Sequence, residues 1–217
     1  VSSHLVGMTE LESVLRQVVE SARELVRADV AVIGLVDGST GKLTQVFHSG
    51  FSQGQIPRDV QVRGVGLLGR LLKGEELFCD DVTKHPGFTG YPSWHPRIRA
   101  CIGVPIHVEG RVAAILLVGS TSANKSYSRE DYQTIHALAD LASVALQTSQ
   151  LFDNLRQSNE MQRIILDTAA TAVMMVDTNC VITDVNEAFT EITGYKPEEL
   201  IGKPCDLLNG DTCEPGC

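Results

Sequence analysis

The feature that most constrains the fold is a pair of apolar, strand-like segments, residues 100–108 and 111–119, joined only by Glu109 and Gly110. A two-residue connection leaves no space for a crossover helix, so the two strands must pair as an antiparallel hairpin. Further short strand patterns occur at residues 30–36, 43–48 and 77–79, separated by polar or glycine-containing segments. The sequence therefore predicts an α+β fold built on an antiparallel sheet.

Two helical patterns flank these strands. Thr9 with Glu12, and Ser128 with Asp131, form capping boxes at the start of apolar repeats with helical spacing. The second helix is predicted to continue past residue 150, because two sets of mostly apolar positions recur every seven residues. They are Leu138, Ala145, Phe152 and Asn159, and Leu141, Thr148, Leu155 and Gln162. This spacing predicts a homodimer through the helix 128–166. Alternatively, Leu138, Leu141 and Ala145 face their own sheet, and only the later part is a linker.

The charge distribution changes near residue 150. Residues 1–150 contain 15 acidic and 14 basic residues, a net charge of −1, whereas residues 151–217 contain 12 and 4, a net charge of −8. An acidic second part repels phosphate backbones and the first part has no basic stripe, so we expect no direct binding to nucleic acid. The longest apolar run, residues 112–118, is shorter than the ~20 residues that span a bilayer. With no signal-peptide pattern at the start, we expect no membrane segment and a cytoplasmic location.

Residues 9–149 resemble a GAF domain. The matching segments are GVGLLGR at 64–70, DDV at 80–82, GVPI at 103–106, GRVAAILL at 110–117 and ALADLA at 137–142. This resemblance implies an antiparallel sheet, flanked by helices, that holds a ligand.

The later residues are similar to the first half of a PAS domain. The matching segments are VD at 176–177, ITDVNEAF at 182–189, TGY at 193–195 and EELIG at 198–202. We therefore expect a GAF domain over 9–149, a helical, coiled-coil linker over 150–166, and an incomplete, N-terminal part of a PAS-like α/β unit over 167–217.

The two resemblances together imply a sensory input module. Bacterial sensor kinases, diguanylate cyclases and enhancer-binding activators share this arrangement, in which a helix transmits the state of the sensor to an output domain. No catalytic arrangement of side chains stands out in this chain. We expect a small-molecule or redox sensor whose output domain, a histidine kinase in the first instance, is not in this sequence. The alternative is a dimerisation scaffold whose pocket is empty.

The irregular segment 82–99 provides most of the candidate ligand-binding residues. They are His85, Tyr91, Trp94, His95, Arg97 and Arg99, joined by Cys101 and Leu117 from the neighbouring strands. The arginines suit an anionic ligand over which Trp94 closes, although loop charges of this kind equally form a solvated rim. The segment around His95 is also similar to one in haem-binding GAF sensors, which implies His95 as an iron ligand. Ile98 and Leu117 depart from that subgroup's pattern, which has Met and a distal Tyr at these positions.

A cysteine cluster ends the chain. Cys205, Cys213 and Cys217 have the spacing C-x7-C-x3-C, and thiolates of this kind bind zinc or iron–sulfur clusters. A fourth ligand would have to come from Cys180 or from beyond Cys217, and a redox-responsive thiol set is the alternative. Cys79 and Cys101, both in predicted strands, are expected to be small core residues.

Overall fold

The computed structural model describes residues 2–52, 64–168 and 171–208. The chain divides into two compact units, Val1–Leu151 and Phe152–Cys217. Each unit is described by itself below. Within the described residues, no helix combines the length and the apolar character that crossing a membrane requires.

The first unit is an antiparallel sheet of five strands with helices packed on it. Its strands are β1 (Val30–Val36), β2 (Leu43–Ser49), β3 (Leu77–Cys79), β4 (Ala100–Val108) and β5 (Arg111–Ser120), in the spatial order β2-β1-β5-β4-β3. Its helices are α1 (Ser2–Leu25), α2 (Gly66–Leu72) and the part of α3 (Arg129–Thr168) up to Leu151, after which α3 continues into the second unit. All four strand pairs are antiparallel. The predicted α+β class and the antiparallel sheet are confirmed.

The central hairpin forms where the sequence predicts it. Glu109 and Gly110 connect β4 to β5, and both have positive φ angles, 51° and 77°. Two consecutive residues with positive φ are typical of the tight turns whose twist matches that of the paired strands. Gly110 adopts this conformation without a steric penalty, because it has no Cβ.

The sheet is buried on both faces, which we call the helix side and the loop side. On the helix side, alternate residues of β4, including Ala100, Ile102, Val104 and Ile106, pack in one core cluster with α1 and α3. On the loop side, Cys101 and Ile115 pack in a second cluster with Leu71 of α2, Val82 and Ile98. The alternation of side chains along a strand divides the two cores.

Two glycines allow α2 and the segment before β4 to approach the loop side of the sheet closely. A Cβ on Gly103 would lie 2.9 Å from the Leu71 side chain, and one on Gly119 would lie 2.7 Å from that of Ile98. Contacts this short do not occur with a real Cβ, so α2 and the segment before β4 rest directly on these strands. The loop-side core is therefore close-packed at these two points.

The helix caps differ in how well the sequence predicts them. The Ser128–Asp131 capping box is confirmed, because the Ser128 N–H donates to Asp131 Oδ2 at 2.7 Å and the Asp131 N–H donates to Ser128 Oγ at 3.1 Å. The capping box at Thr9 is wrong. The helix α1 begins at Ser2, so Thr9 lies inside it. Apolar and neutral residues before Thr9 continue the helix without a break.

The second unit contains a two-stranded antiparallel sheet and short helices. Its elements are β6 (Met174–Val176), β7 (Ile182–Val185), α4 (Glu187–Thr193) and α5 (Pro197–Leu200). Asn186 caps α4 by accepting the Phe189 N–H at 3.0 Å, and Pro197 lies in the first turn of α5. Proline is favoured there because its fixed φ suits a helix and its missing N–H is not needed.

Candidate functional site

The segment between β3 and β4 is held closed at its base. The Val82 N–H donates to the Arg99 carbonyl at 2.7 Å, and the Arg99 N–H donates to the Ser120 carbonyl at 2.6 Å. The Asp81 carboxylate accepts the Thr83 hydroxyl at 2.6 Å and lies 3.5 Å from the Arg99 guanidinium. Hydrogen bonds from Thr83, with Arg99 contributing, lower the pKa of Asp81. These contacts join the two ends of the segment to each other and its Arg99 end to β5.

Within this closed segment, aromatic rings gather around His95 in what we call the ring cluster. The His95 ring stacks on Tyr91 with centroids 4.8 Å apart and an interplanar angle of 5°. Trp94 lies 5.4 Å from His95, and Phe51, which follows β2, meets its edge at 6.3 Å. Phe88 makes an edge contact with Tyr91 at 5.0 Å. The ring cluster therefore joins the 82–99 segment to the end of β2.

The two titratable rings of the cluster, those of Tyr91 and His95, are uncharged at neutral pH. Burial lowers the pKa of His95, although a contact with the Pro96 carbonyl opposes this effect. His95 Nδ1 is 2.6 Å from that carbonyl oxygen, so Nδ1 carries the proton and Nε2 holds the lone pair. The Tyr91 hydroxyl donates to the Ile98 carbonyl at 2.9 Å, and burial raises the pKa of Tyr91. The cluster thus presents neutral rings rather than charges.

The other predicted residues of the segment lie outside these ring contacts. His85 Nδ1 accepts the Gly87 N–H at 3.0 Å, which stabilises the local turn. Arg97 is exposed, and the Arg99 side chain pairs with Asp81. Because Asp81 already engages Arg99, an anion would have to compete with this carboxylate. The structure brings the rings of Tyr91, Trp94 and His95 together, whereas Arg99 pairs with Asp81 and Arg97 is exposed.

The two strand residues of the predicted site lie on the loop side. Cys101 is buried in the loop-side core, and Leu117 packs against it while remaining half-buried. Leu117 is the cross-strand partner of Gly103 in β4 and of Val32 in β1. Both residues therefore belong to the sheet face against which the 82–99 segment packs.

The surroundings of His95 bear on whether it could hold haem. A neutral imidazole with its proton on Nδ1 is suited to bind iron through Nε2. One face of that imidazole, however, is covered by Tyr91, and Ile98 packs onto the strand at Gly119. Haem ligation by His95 stays a prediction.

The cysteine cluster of the second unit is described only in part. The Cys205 N–H donates to the Cys180 carbonyl at 2.9 Å, so these two cysteines are neighbours. Cys213 and Cys217 lie outside the described residues. Within 2–52, 64–168 and 171–208, no group of three or more His, Cys, Asp or Glu side chains is placed to hold a metal ion. The metal site at these cysteines stays a prediction.

Sequence reasoning missed several residues that the fold brings together. Phe51 joins the ring cluster, and Cys79 faces Cys101 across the β3–β4 pair. A polar cleft of about 180 Å³ also lies at the edge of α3. Glu76 and His136 line this cleft, and His136 Nε2 is 3.4 Å from the Glu76 carboxylate, which also accepts a hydrogen bond from the Tyr132 hydroxyl. The spacing of four residues between Tyr132 and His136 was the available signal, because it places both on one face of a helix.

Comparison with known families agrees with this architecture. Residues 8–147 match the sequence model of the GAF domain, and residues 160–209 match that of the PAS fold. The first match covers more than half of the chain. The chain therefore belongs to the GAF domain family, and the GAF domain is followed by a PAS fold.

A curated relative belongs to signal transduction. A segment of 73 residues is 29% identical to the signal transduction histidine-protein kinase AtoS of Escherichia coli (strain K12). This alignment covers 34% of the present chain and 12% of the kinase, so the chain spans only a small part of that relative. Together with the GAF and PAS matches, it supports a sensory module of signal transduction.

Solved structures show the same fold. The GAF domain of a phosphoenolpyruvate-protein phosphotransferase from Coxiella burnetii has a TM-score of 0.58 at 20% identity, covering 66% of this chain and 86% of that chain. A GAF domain/HD domain protein from Geobacter sulfurreducens has a TM-score of 0.56 at 21% identity, covering 68% of this chain and 98% of that chain. These similarities establish the fold of the first unit.

Proposed function

We propose that this chain is the sensory input segment of a bacterial cytoplasmic signalling protein. Residues 9–149 form the GAF sensor, residues 150–166 a helical linker, and residues 167–217 the first part of a PAS domain. The output domain, a histidine kinase in the first instance, lies outside this sequence. The observation that carries the proposal is the ring cluster around His95, which the sheet and the 82–99 segment hold in place.

The chemistry of the ring cluster favours an uncharged ligand with a flat apolar part. Aromatic side chains bind such molecules through their faces and edges, and the polar atoms of His95 and Tyr91 orient them. Neutral rings offer no attraction to an anion, and Arg99 is paired with Asp81. The anionic ligand that the arginines suggest is therefore the less favoured choice.

We propose that helix α3 transmits the state of the GAF sensor toward the output domain. Its first part packs on the sheet through Ile135, Ala139, Ala142 and Leu146. On a different face of the same helix, and continuing beyond Leu146, large apolar side chains are exposed, including those of Leu141, Val144, Leu151, Phe152 and Leu155. With 3.6 residues per turn, these five positions fall within about 100° of the helix circumference. Together they form what we call the apolar stripe of α3.

A second copy of the chain is the partner that this stripe fits. Leu141, Thr148 and Leu155 recur at heptad spacing and are all exposed, as a parallel or antiparallel pair of helices requires. Leu138, in contrast, packs against the helix-side core. The proposed seam therefore begins near Leu141 rather than at Leu138, and it includes Leu151 beside Phe152.

Close packing on the loop side favours a second candidate function, the ligand-free dimerisation scaffold. Leu71 and Ile98 already fill the space above Gly103 and Gly119. A domain packed in this way acts as a spacer that presents α3 for dimerisation. Haem sensing through His95 is the third candidate, favoured by the proton on Nδ1.

A thermal-shift experiment separates these candidates. A ligand that binds the native fold raises the unfolding temperature, by an amount that grows with its concentration. We expect stabilisation by a member of a panel of metabolites and haem, and loss of that shift in His95→Ala. Arg97→Ala is the matched control, because Arg97 lies two residues away and is exposed. Haem sensing further predicts a Soret band that His95→Ala abolishes.

The outcomes contradict different candidates. An equal shift in His95→Ala and in the unmodified chain would place the ligand outside the ring cluster. A dimeric chain that neither metabolites nor haem stabilise would instead favour the scaffold.

A further inference from the structure

A pair of cysteines faces each other across the edge of the sheet. Cys79 is the last residue of β3, and its cross-strand partner is Cys101 of β4. Directly opposed residues in antiparallel strands have Cα atoms about 4.5 or 5.5 Å apart, and disulfides span about 4.4–6.8 Å. The backbone therefore holds the two cysteines at a separation that a disulfide can bridge.

The two thiols of this pair are chemically unequal. The Cys101 thiol donates a hydrogen bond to Cys79, and this contact lowers the pKa of Cys79 to about 7, against the opposing effects of burial and Asp80. The same hydrogen bond, together with burial, raises the pKa of Cys101. Cys101 is buried, with 2% of its surface exposed, whereas Cys79 is only half-buried. Cys79 is thus the accessible nucleophile, and Cys101 is a protected thiol beside it.

We propose that Cys79 and Cys101 form a two-electron redox site that reacts with hydroperoxides. The Cys79 thiolate attacks the outer oxygen of the peroxide, the O–O bond breaks, and the products are a Cys79 sulfenic acid and an alcohol or water. The Cys101 sulfur then attacks the Cys79 sulfur, and the hydroxyl group leaves as water with the Cys101 proton. Two thiols and one hydroperoxide give one disulfide, one alcohol and one water.

This site lies next to the segment that carries the ring cluster. Three residues after Cys79, the Val82 N–H bonds to the Arg99 carbonyl, and Cys101 follows Arg99 by two residues. A disulfide would join β3, the edge strand, covalently to β4 beside this hydrogen bond between Val82 and Arg99. The redox site is an input separate from ligand binding, and it stands or falls independently of the proposed ligand.

Peptide mapping after peroxide treatment tests this proposal. Hydrogen peroxide is added to the folded chain, the remaining thiols are blocked with N-ethylmaleimide, and the chain is digested with trypsin. Cys79 and Cys101 fall in separate tryptic peptides, residues 74–84 and 100–111. The other four cysteines share one peptide, residues 164–217, because Lys196 and Lys203 precede proline. We expect a linked 74–84/100–111 pair, two hydrogens lighter than the separate peptides, that dithiothreitol releases.

Variants and an unfolded reference complete the test. In Cys101→Ser, the sulfenic acid on Cys79 cannot close the disulfide, so we expect a dimedone adduct on residues 74–84 and no linked pair. In Cys79→Ser, Cys101 is expected to stay reduced. The urea-unfolded chain is expected to give mixed pairings that include residues 164–217.

Two results would overturn the proposal. One is that both thiols of the folded chain stay reduced under conditions that oxidise the unfolded chain. The other is that the folded chain gives the same mixed pairings as the unfolded one. Cys79→Ser changes a half-buried residue at the end of an edge strand, so circular dichroism of this variant checks that the result does not come from unfolding.

Discussion

The apolar stripe on α3 leads to a prediction about dimer stability. Phe152 is 69% exposed in the single chain. A phenylalanine side chain buries ~150–250 Å² in full, so ~100–170 Å² of Phe152 is available to a partner. At ~25 cal/mol per Å², this area corresponds to ~2.5–4 kcal/mol for each protomer and about twice that for a symmetric dimer. A helix seam leaves part of this area solvated, so we expect Phe152→Glu to cost ~3–4 kcal/mol, a 100- to 1,000-fold weaker dimer.

Sedimentation equilibrium over a range of protein concentrations measures this effect. Gln157→Glu is the matched control. Gln157 is exposed and lies on the same helix, on the side opposite the apolar stripe, and its replacement introduces the same charge. We expect the control to dimerise like the unmodified chain. An unchanged dissociation constant in Phe152→Glu, or equal weakening by both variants, would refute the proposed seam.

Three further predictions follow from buried or hydrogen-bonded polar groups. The Asn186 side chain is 4% exposed and accepts hydrogen bonds from two backbone N–H groups. Asn186→Ala removes these bonds, so the second unit should lose ~2–4 kcal/mol of stability in urea denaturation. An unchanged denaturation midpoint would contradict this role of Asn186. Hydrogen bonds from Thr121 lower the pKa of Asp29 in the folded state. The stabilisation that the Asp29 carboxylate gives is therefore complete above the unfolded pKa of ~3.9 and is lost as the pH falls below that value. Asp29→Asn should flatten the fall in stability between pH 5 and pH 3, and an unchanged slope would argue against this role of Asp29. The rate of Cys79 alkylation by iodoacetamide should rise with pH, with a midpoint at about pH 7. In Cys101→Ala this midpoint should move toward the ordinary thiol pKa of ~8.5. Cys101→Ser keeps a hydrogen-bond donor, so its midpoint should stay close to that of the unmodified chain.

Sequence reasoning succeeded where the signal is local. The hairpin depends on two residues, Glu109 and Gly110, whose positive φ angles are a property of the turn itself. The start of α3 depends on Ser128 and Asp131, three residues apart, and the start of α4 on Asn186. Such signals act over one turn of chain, so they are readable without knowledge of the rest of the fold.

The register between strands, in contrast, was decided by the tertiary structure. Both Cys79 and Cys101 were placed in strands from the sequence, but only the pairing of β3 with β4 makes them opposite neighbours. A shift by one residue would reverse the face of every side chain in β3, so packing of the whole core selects the register. Leu138 and Leu141 show the same dependence, because one packs in the core and the other is exposed although both fit the heptad pattern.

The sequence by itself thus determined the elements, their order and the family, since these rest on spacing within short segments. Only the tertiary structure decided which partners each side chain has: Arg99 with Asp81, Phe51 with His95, and Cys79 with Cys101. The physical reason is that such contacts join residues far apart in the chain, and their geometry depends on how the sheet, the helices and the 82–99 segment pack together.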